Sequence, residues 1–336
     1  MNFYKLDITQ LPSPCYVINC DVLKQNLLLM KKHCDYAGIN PLLAIKGFPL
    51  ALVYKDIAPF LKGASASSLY EANIAQYLGK EVHIHAPAYR PDEILNIYKN
   101  CNYIVFNSIS QWEKYKNAFN WKKQQVSPGL RINPEYSEID IEKYNTCTTY
   151  SRFGVTKNNI IQHDISGIEG FHFHALYDQG AETLIKIIDK VINNFGKYFK
   201  NIFWINLGGG HQLANEDYNI DLLEKTISKL KSEFGLEIYV EPCEAIVTSC
   251  GFLVSTVLDI VENNKKTIIL DTSAICHMPD VLFGCAERIC IKCHIFVWIF
   301  SFDSTDILVG LIIKYTSSPY FVLSPRFVKV SIPINS

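Results

Sequence analysis

Short apolar runs alternate with amphipathic segments from about residue 40 to about residue 245. The segment Tyr218–Phe234 shows the amphipathic pattern clearly, and its apolar residues recur three or four positions apart: Ile220, Leu223, Ile227, Leu230 and Phe234. This spacing predicts a helix with one buried face, and Ser68–Leu78 and Pro91–Lys99 are similar in character. The β-branched and aromatic runs between such segments predict eight strands: Leu42–Lys46, Gly63–Ser67, Val82–Ala86, Tyr103–Ser108, Gly129–Pro134, Gly170–Ala175, Phe203–Gly208 and Ile238–Ala245.

Regular alternation of strands and helices predicts a parallel sheet, because each helix returns the chain to the start of the next strand. Eight repeats over about 200 residues suit a closed (β/α)8 barrel of the TIM type, with an open doubly wound sheet as the competing architecture. We expect the barrel to span residues 26–250. Residues 1–25 and 251–336 are expected to form a second, β-rich domain, because strand-like runs occur at residues 252–261 and 267–270.

Composition and charge exclude several classes of protein. The chain is 49% hydrophobic and 19% charged, with a net charge of −1, so nothing indicates binding to nucleic acid or to an anionic membrane. No apolar run approaches the roughly 18 residues of a membrane span, and the first residues do not form a signal peptide. The eleven cysteines are irregularly spaced, which is expected of reduced thiols in a cytoplasmic protein.

In a TIM-type barrel the chemistry lies at the carboxyl ends of the strands. The predicted strands end at or near these residues: Lys46, Ser67, Ser108, Asn133, His174, Gly208–Gly210 and Glu241. A lysine that closes an apolar strand is partly desolvated, which lowers its pKa and makes its amine nucleophilic. The alternative for Lys46 is an ordinary surface lysine.

Three glycines in a row, Gly208–Gly210, allow backbone amides to approach and hold a phosphate. The segment is not the dinucleotide-binding fingerprint, because Leu213 stands where the third glycine is needed. A tight turn is the alternative interpretation. Glu241 could pair with a protonated ring nitrogen of a cofactor, and His172 or His174 could stack on a flat cofactor or simply be a hydrogen-bonded core histidine.

The tail contains one competing motif. Cys290-Ile291-Lys292-Cys293-His294 matches the haem-attachment pattern, and a zinc site could combine these residues with Cys285. Covalent haem attachment requires export, and the spacing fits no standard zinc site. We therefore expect no metal.

The motifs together resemble the fold-type III pyridoxal-phosphate decarboxylases. Within that group the chain is most similar to the carboxynorspermidine/carboxyspermidine decarboxylases, over about residues 10–282. The matching stretches are Ala44–Lys46, Ala66–Glu71, Phe106–Ser108, Leu130–Glu135, Ser151–Gly154, Gly170–His174, Trp204–His211, Glu241–Ala245 and Cys276–Asp280. The resemblance implies that the cofactor is pyridoxal 5'-phosphate and that the protein is a homodimer with a shared active site.

The same resemblance implies a role for each matching residue. Lys46 carries the cofactor as a Schiff base, His174 stacks on its ring, Gly208–Gly210 hold its phosphate, and Glu241 holds its ring nitrogen. Arg131 is also placed among the cofactor-binding residues.

Two carboxylates point to a polyamine substrate. Ornithine and diaminopimelate decarboxylases are similar here but carry Arg at the position of Glu244, and an anionic pair of Glu244 and Asp280 suits a substrate with a distal ammonium group. The expected reaction is decarboxylation of carboxynorspermidine or carboxyspermidine in polyamine biosynthesis. A diaminopimelate or other basic amino-acid decarboxylase and a non-catalytic cofactor-binding remnant are the alternatives.

The chain departs from the family pattern at two places. Cys243 stands where the family has glycine, and it would strain the loop if that position requires a positive φ or a close approach of other atoms. Residues 283–336 carry none of the family's C-terminal motifs, as a frameshift or truncation near residue 282 would produce. We therefore expect this tail to pack irregularly, and the family's reprotonating cysteine cannot be placed in it.

Overall fold

The computed structural model describes residues 10–140, 142–264, 266–277, 295–296, 311–315 and 326–330. The chain divides into two compact units, Leu27–Ile246 and a unit that combines Met1–Asn26 with Val247–Ser336. Each unit is described by itself below.

The strands of the described residues are β1 (Cys15–Asn19), β2 (Asn40–Ala44), β3 (Gly63–Ala66), β4 (Glu81–His85), β5 (Tyr103–Phe106), β6 (Ser127–Arg131), β7 (Gly170–His172), β8 (Trp204–Asn206), β9 (Glu237–Val240), β10 (Gly251–Glu262), β11 (Lys266–Leu270), β12 (Ile295–Phe296), β13 (Leu311–Tyr315) and β14 (Arg326–Val330). The helices are α1 (Cys20–Ala37), α2 (Tyr54–Ile57), α3 (Leu69–Ala75), α4 (Ile94–Asn100), α5 (Ile109–Tyr115), α6 (Trp121–Gln124), α7 (Lys157–Ile160), α8 (Ala181–Phe195), α9 (Ile220–Phe234), α10 (Cys243–Val247) and α11 (Ala274–His277).

The strands β2 to β9 form a closed barrel in chain order. Every neighbouring pair is parallel, and β2 pairs with β9 through Asn40 opposite Tyr239 and Pro41 opposite Val240. The predicted (β/α)8 barrel with a second β-rich part is therefore confirmed, and the open doubly wound sheet is wrong. Each of the eight predicted strands overlaps one barrel strand.

Helix α9 shows why the local sequence adopts this structure. Its buried residues are Leu223, Ile227 and Leu230, one face of the predicted pattern. Asn219 caps the helix by accepting a hydrogen bond from the backbone N–H of Leu222, and Gly235 ends it in the left-handed conformation at φ 68°. The predicted start at Tyr218 is therefore two residues early, because Asn219 is a capping residue.

A large aromatic side chain fills part of the barrel interior. Trp204 in β8 packs with Leu42, Val105 and Tyr239 in a buried cluster. Gly170 in the neighbouring strand faces the Trp204 indole so closely that a Cβ at Gly170 would overlap the ring. The absence of a side chain at Gly170 therefore makes room for the tryptophan.

The second unit is built around β1 and β10, which pair antiparallel. Strand β11 pairs antiparallel with β10, while β12 and β13 pair parallel with β10 and β14 pairs parallel with β1. The backbone of these three tail strands therefore continues the sheet in register. The predicted irregular packing of the tail concerns residues that lie largely outside the described ones. The cysteine and histidine motif at residues 285–294 also lies outside them. Among the described helices, none is long and apolar enough to cross a membrane.

Candidate active site

Glu241 directly follows β9 and is only 2% exposed. Its Oε1 accepts hydrogen bonds from Ser65 Oγ at 2.8 Å and from Asn206 Nδ2 at 2.9 Å. Its backbone N–H donates to the carbonyl of Gly208 at 2.8 Å. Donors from β3 and β8 thus converge on one carboxylate inside the barrel.

Two histidine rings lie against the same carboxylate. His85 Nε2 is 3.4 Å from Oε2 of Glu241, and His172 Nε2 is 3.5 Å from Oε1. The rings stack with centroids 4.3 Å apart and planes 26° apart. Burial favours protonation of Glu241, but His85 and His172 hold the pKa of this carboxyl well below its usual range. Burial, followed by the charge of His85, lowers the pKa of His172 to about 3, so His172 is neutral at pH 7.

The hydrogen bonds of His174 define which ring nitrogen carries its proton. The backbone N–H of Gly209 donates to His174 Nδ1 at 2.9 Å, which makes Nδ1 an acceptor and assigns the proton of the neutral ring to Nε2. Burial, the charge of Lys46 and the charge of Arg131 lower the pKa of His174 well below its usual value. His174 is therefore a neutral, half-buried ring.

The glycines of the predicted phosphate loop have conformations that other residues rarely adopt. Gly208 has φ +76° and Gly210 has φ +83°, and a Cβ at Gly208 would lie 2.5 Å from the carbonyl oxygen of Phe173. The Gly209 N–H is already donated to His174. Within the described part of the chain, the N–H of Gly210 has no hydrogen-bond acceptor, so this amide can bind a phosphate oxygen.

Lys46 lies two residues beyond the end of its strand, not at the strand end as predicted from the sequence. Strand β2 ends at Ala44, and Lys46 sits in a single 3-10 turn, Ile45–Gly47, at the carboxyl end of the strand. Its side chain is exposed, so the desolvation expected for a lysine inside an apolar strand is not observed. The lysine still belongs to this end of the barrel, because its charge lowers the pKa of His174.

Arg131 ends β6 and is 6% exposed. Its guanidinium carbon lies 4.4 Å from the ring centroid of Phe153, a cation–π contact. Burial lowers the pKa of Arg131 to about 10, with Glu241 acting in the opposite direction, so the side chain remains a cation at pH 7.

The residues expected to bind the substrate are only partly described. Glu244 is half-buried in the first turn of α10, whereas Asp280 lies outside the described residues. Cys243 is not among the described residues with positive φ, so the backbone condition under which it would strain the loop is not met. A Cβ at Gly47 would lie 2.5 Å from Cys243 Sγ, which means that the glycine beside Lys46 accommodates the larger residue at 243.

Three strand-end candidates have structural contacts instead. Ser108 caps α5, Ser67 Oγ donates to the Glu71 carboxylate, and Asn133 accepts the N–H of Glu135. Sequence analysis in turn missed Ser65, His85 and Asn206. Their signal was present, because each is a polar residue within a short apolar strand that becomes fully covered when the barrel closes.

Comparison with known proteins places the chain among decarboxylases. No protein-family model matches it. The carboxynorspermidine/carboxyspermidine decarboxylase of Campylobacter jejuni is 37% identical over 274 residues, which cover 81% of this chain and 71% of that protein. The chain belongs to the carboxynorspermidine/carboxyspermidine decarboxylase family. The carboxyaminopropylagmatine decarboxylase of Synechocystis is 40% identical over 278 residues, covering 82% of this chain and 71% of that protein.

Solved structures agree with this membership. The crystal structure of carboxynorspermidine decarboxylase from Campylobacter jejuni complexed with norspermidine has a TM-score of 0.74 and 36% identity, covering 81% of this chain and 71% of that one. Diaminopimelate decarboxylase from Helicobacter pylori complexed with L-lysine has a TM-score of 0.70 at 20% identity, covering 83% of this chain and 75% of that one, and shares the fold. The family resemblance seen in the sequence is confirmed, and the chain is a decarboxylase by family.

Proposed function

We propose that this chain removes carbon dioxide from a carboxylated polyamine of the carboxynorspermidine or carboxyspermidine type, with pyridoxal 5'-phosphate as its cofactor. The observation that carries the proposal is Glu241, a buried carboxylate that stays ionised at the carboxyl end of the barrel. A fixed negative charge there keeps a heterocyclic ring nitrogen protonated, which is what an electron-sink cofactor requires.

The residues around Glu241 fit the cofactor. Gly210 offers an N–H for a phosphate oxygen, and the closely packed glycines Gly208–Gly210 leave no side chain in the way. Lys46 offers an exposed amine at the same end of the barrel. His174 offers a neutral ring, which can contact the cofactor without adding a positive charge beside its protonated nitrogen.

Pyridoxal phosphate, when bound, supplies a sink for the electron pair that remains on the α-carbon after carbon dioxide leaves. Lys46 would hold the cofactor through its amine, which is exposed at this end of the barrel. Glu241 holds the proton on the ring nitrogen, and its own hydrogen bonds from Ser65 and Asn206 fix the carboxylate in place.

Glu244 supports the assignment of the substrate class. It lies three residues after Glu241, in the first turn of α10, and its negative charge suits the ammonium end of a polyamine. Carboxyaminopropylagmatine is a second candidate substrate, supported by the 40% identity to the Synechocystis enzyme that carries that name. Its guanidinium end would meet the same carboxylate.

We also propose that the protein works as a cytoplasmic homodimer. The dimer is supported by the resemblance to a family whose active site is shared between subunits. The location is supported by the described cysteines, which form no disulfide with one another.

The substrate assignment is tested by comparing kcat/KM for carboxynorspermidine, carboxyspermidine, carboxyaminopropylagmatine and meso-diaminopimelate. We expect turnover of a polyamine substrate, and Glu244→Gln should raise its KM roughly tenfold or more, because a charge-assisted contact is worth about 1.5–3 kcal/mol. Glu233→Gln is the matched control, since Glu233 is exposed near the end of α9, which leads to the amino-terminal end of β9.

Two outcomes would contradict the proposal. Turnover of diaminopimelate as efficient as that of the polyamine substrates would remove the polyamine assignment. Cofactor binding without decarboxylation of any of the four compounds would favour the non-catalytic remnant.

A further inference from the structure

The space around Gly47, rather than its backbone conformation, excludes a side chain at this position. Gly47 is not among the described glycines with positive φ, so other residues could adopt its conformation. A Cβ at Gly47 would nevertheless lie 2.5 Å from Cys243 Sγ and 3.3 Å from Cys243 Cβ. Apart from the chain neighbours of Gly47, these are the only atoms of the described residues within 4 Å of that Cβ. The Cys243 side chain therefore occupies by itself the volume that a side chain at position 47 would need.

The turn Ile45–Gly47, which carries Lys46, is held firmly at its far end. No side chain caps the start of this turn, and the N–H of Phe48 closes it by donating to the carbonyl of Ile45 at 3.0 Å. The hydroxyl of Tyr54, a fully buried residue, donates to the carbonyl of Phe48 at 3.1 Å. The position of the residues next to Lys46 then depends on what packs against Gly47.

Cys243 joins this turn to the segment that holds Glu241. It begins α10, and its N–H donates to the carbonyl of Glu241 at 2.9 Å. Burial raises the pKa of the Cys243 thiol to about 12, against a smaller opposite effect of the Lys46 charge, so the thiol is neutral at pH 7. A neutral thiol behaves as a small apolar group, which suits packing against a glycine. The side chain of Cys243 thus contacts the lysine turn while its backbone is bonded to the glutamate.

We propose that Cys243 is a positioning residue for Lys46, because its side chain packs against Gly47 and sets the distance of the lysine turn from Glu241. This inference rests on the proposed function, in which Lys46 and Glu241 hold different atoms of one cofactor. A rigid cofactor tolerates little change in the distance between its two anchors, and a displacement of about 1 Å can cost about a hundredfold in rate. Gly47 and Cys243 are then a complementary pair, in which the size of one residue is matched to the size of the other.

The test measures how fast the visible band of the lysine-linked cofactor appears after pyridoxal phosphate is mixed with the unmodified protein, Cys243→Gly, Gly47→Ala or the double variant. We expect each single substitution to slow the band about tenfold, the first by leaving the turn unsupported and the second by pushing it away from Cys243. In the double variant the alanine methyl group takes the space left by the cysteine. Its rate should therefore return to within roughly threefold of the unmodified protein, whereas two independent effects would multiply to about a hundredfold.

Two further variants separate positioning from other effects, and circular dichroism verifies the fold of each protein. Cys243→Ser keeps a side chain of similar shape and should retain most of the rate, which separates packing from thiol chemistry. The matched control is Cys101→Gly, since Cys101 is 4% exposed and precedes β5, at the amino-terminal end of the barrel strands. It removes the same atoms at the end of the barrel opposite to Lys46. We expect its urea midpoint to fall while its rate of band formation stays unchanged.

Several results would overturn the positioning role. These are a double variant as slow as the product of the two single effects, a folded Cys243→Gly protein that forms the band at the unmodified rate, and slowing by Cys243→Ser as large as that by Cys243→Gly. Equal slowing by Cys101→Gly would do the same, because loss of stability alone would then explain the effect. If Gly47→Ala does not fold, the comparison of Cys243→Gly with the serine variant and with Cys101→Gly still decides.

The failure of the proposed function gives a different result. If the unmodified protein forms no band, the proposed function is contradicted, and the positioning role falls with it. If the band forms but the effects at positions 47 and 243 are independent, only the positioning role is wrong. Urea midpoints of the cofactor-free proteins measure the packing contact on their own, and we expect Gly47→Ala to lower the midpoint less in the Cys243→Gly protein than in the unmodified one.

Discussion

Glu241 is a buried, ionised carboxylate that accepts hydrogen bonds from the neutral side chains of Ser65 and Asn206. Glu241→Gln keeps the shape and one carbonyl-type acceptor, but it removes the negative charge. We expect this variant to stay folded and to bind pyridoxal phosphate roughly tenfold or more weakly, since a contact to a charged group is worth about 1.5–3 kcal/mol. Fluorescence titration with the cofactor measures the effect. The matched control is Glu237→Gln, because Glu237 begins β9 and is exposed. Equal affinity in Glu241→Gln and the unmodified protein would show that the charge has no such role.

Some of the site could be predicted at the residue scale and some could not. Lys46, His174, Gly208–Gly210 and Glu241 lie at or near the carboxyl ends of predicted strands, so one rule about barrel strand ends finds them. Ser65 and Asn206 contact Glu241 across sequence separations of 176 and 35 residues. Their role depends on the register of strands that are distant in sequence, which no local pattern contains.

At the scale of elements, the fit between β7 and β8 depends on a glycine facing a tryptophan. Gly170→Ala would place a methyl group into the Trp204 ring, and overpacking of this kind costs about 1–3 kcal/mol. We therefore expect a clear fall in the urea midpoint of unfolding. Gly196→Ala is the control, because its Cβ would meet only Ile192 at 3.4 Å. Equal midpoints for the two variants would contradict this packing argument.

The elements themselves were predictable because strand and helix periods differ. The eight barrel strands follow from apolar runs, and α9 follows from its spacing of three and four. The end of β2 was not predictable, because Leu42–Lys46 is apolar up to the lysine, while the chain turns after Ala44 into a 3-10 turn. That turn leaves the Lys46 side chain exposed to solvent rather than buried within the strand.

At the scale of the whole molecule, several buried histidines make the fold sensitive to acid. Burial lowers the pKa of His211 to about 4 and that of His172 to about 3, from 6.5, and also lowers the pKa of His83. Below pH 6.5 the unfolded chain therefore takes up protons that the folded chain does not, so stability falls as the pH falls towards 4. Above pH 6.5 this effect disappears.

We expect the urea midpoint to be lower at pH 5 than at pH 7, and His211→Asn should reduce the difference between the two. His163→Gln, which alters an exposed histidine, should leave the difference unchanged. A midpoint that is equal or higher at pH 5 would contradict the assignment of neutral buried histidines.

The barrel as a whole was predictable because strand–helix alternation admits few architectures, and the family resemblance independently implied the same fold. The tail was not. Its strands β12, β13 and β14 pair with β1 and β10, contacts that join residues far apart in sequence and that no local pattern in residues 283–336 specifies.

The most direct test of the central claim is the absorption spectrum of the purified chain with pyridoxal phosphate. The account predicts the visible band of a lysine-linked cofactor in the unmodified protein and in Lys55→Ala, whose lysine is exposed on α2. It predicts that Lys46→Ala lacks this band while keeping its fold by circular dichroism. An unchanged band in Lys46→Ala, or no band in the unmodified protein at saturating cofactor, would contradict the account.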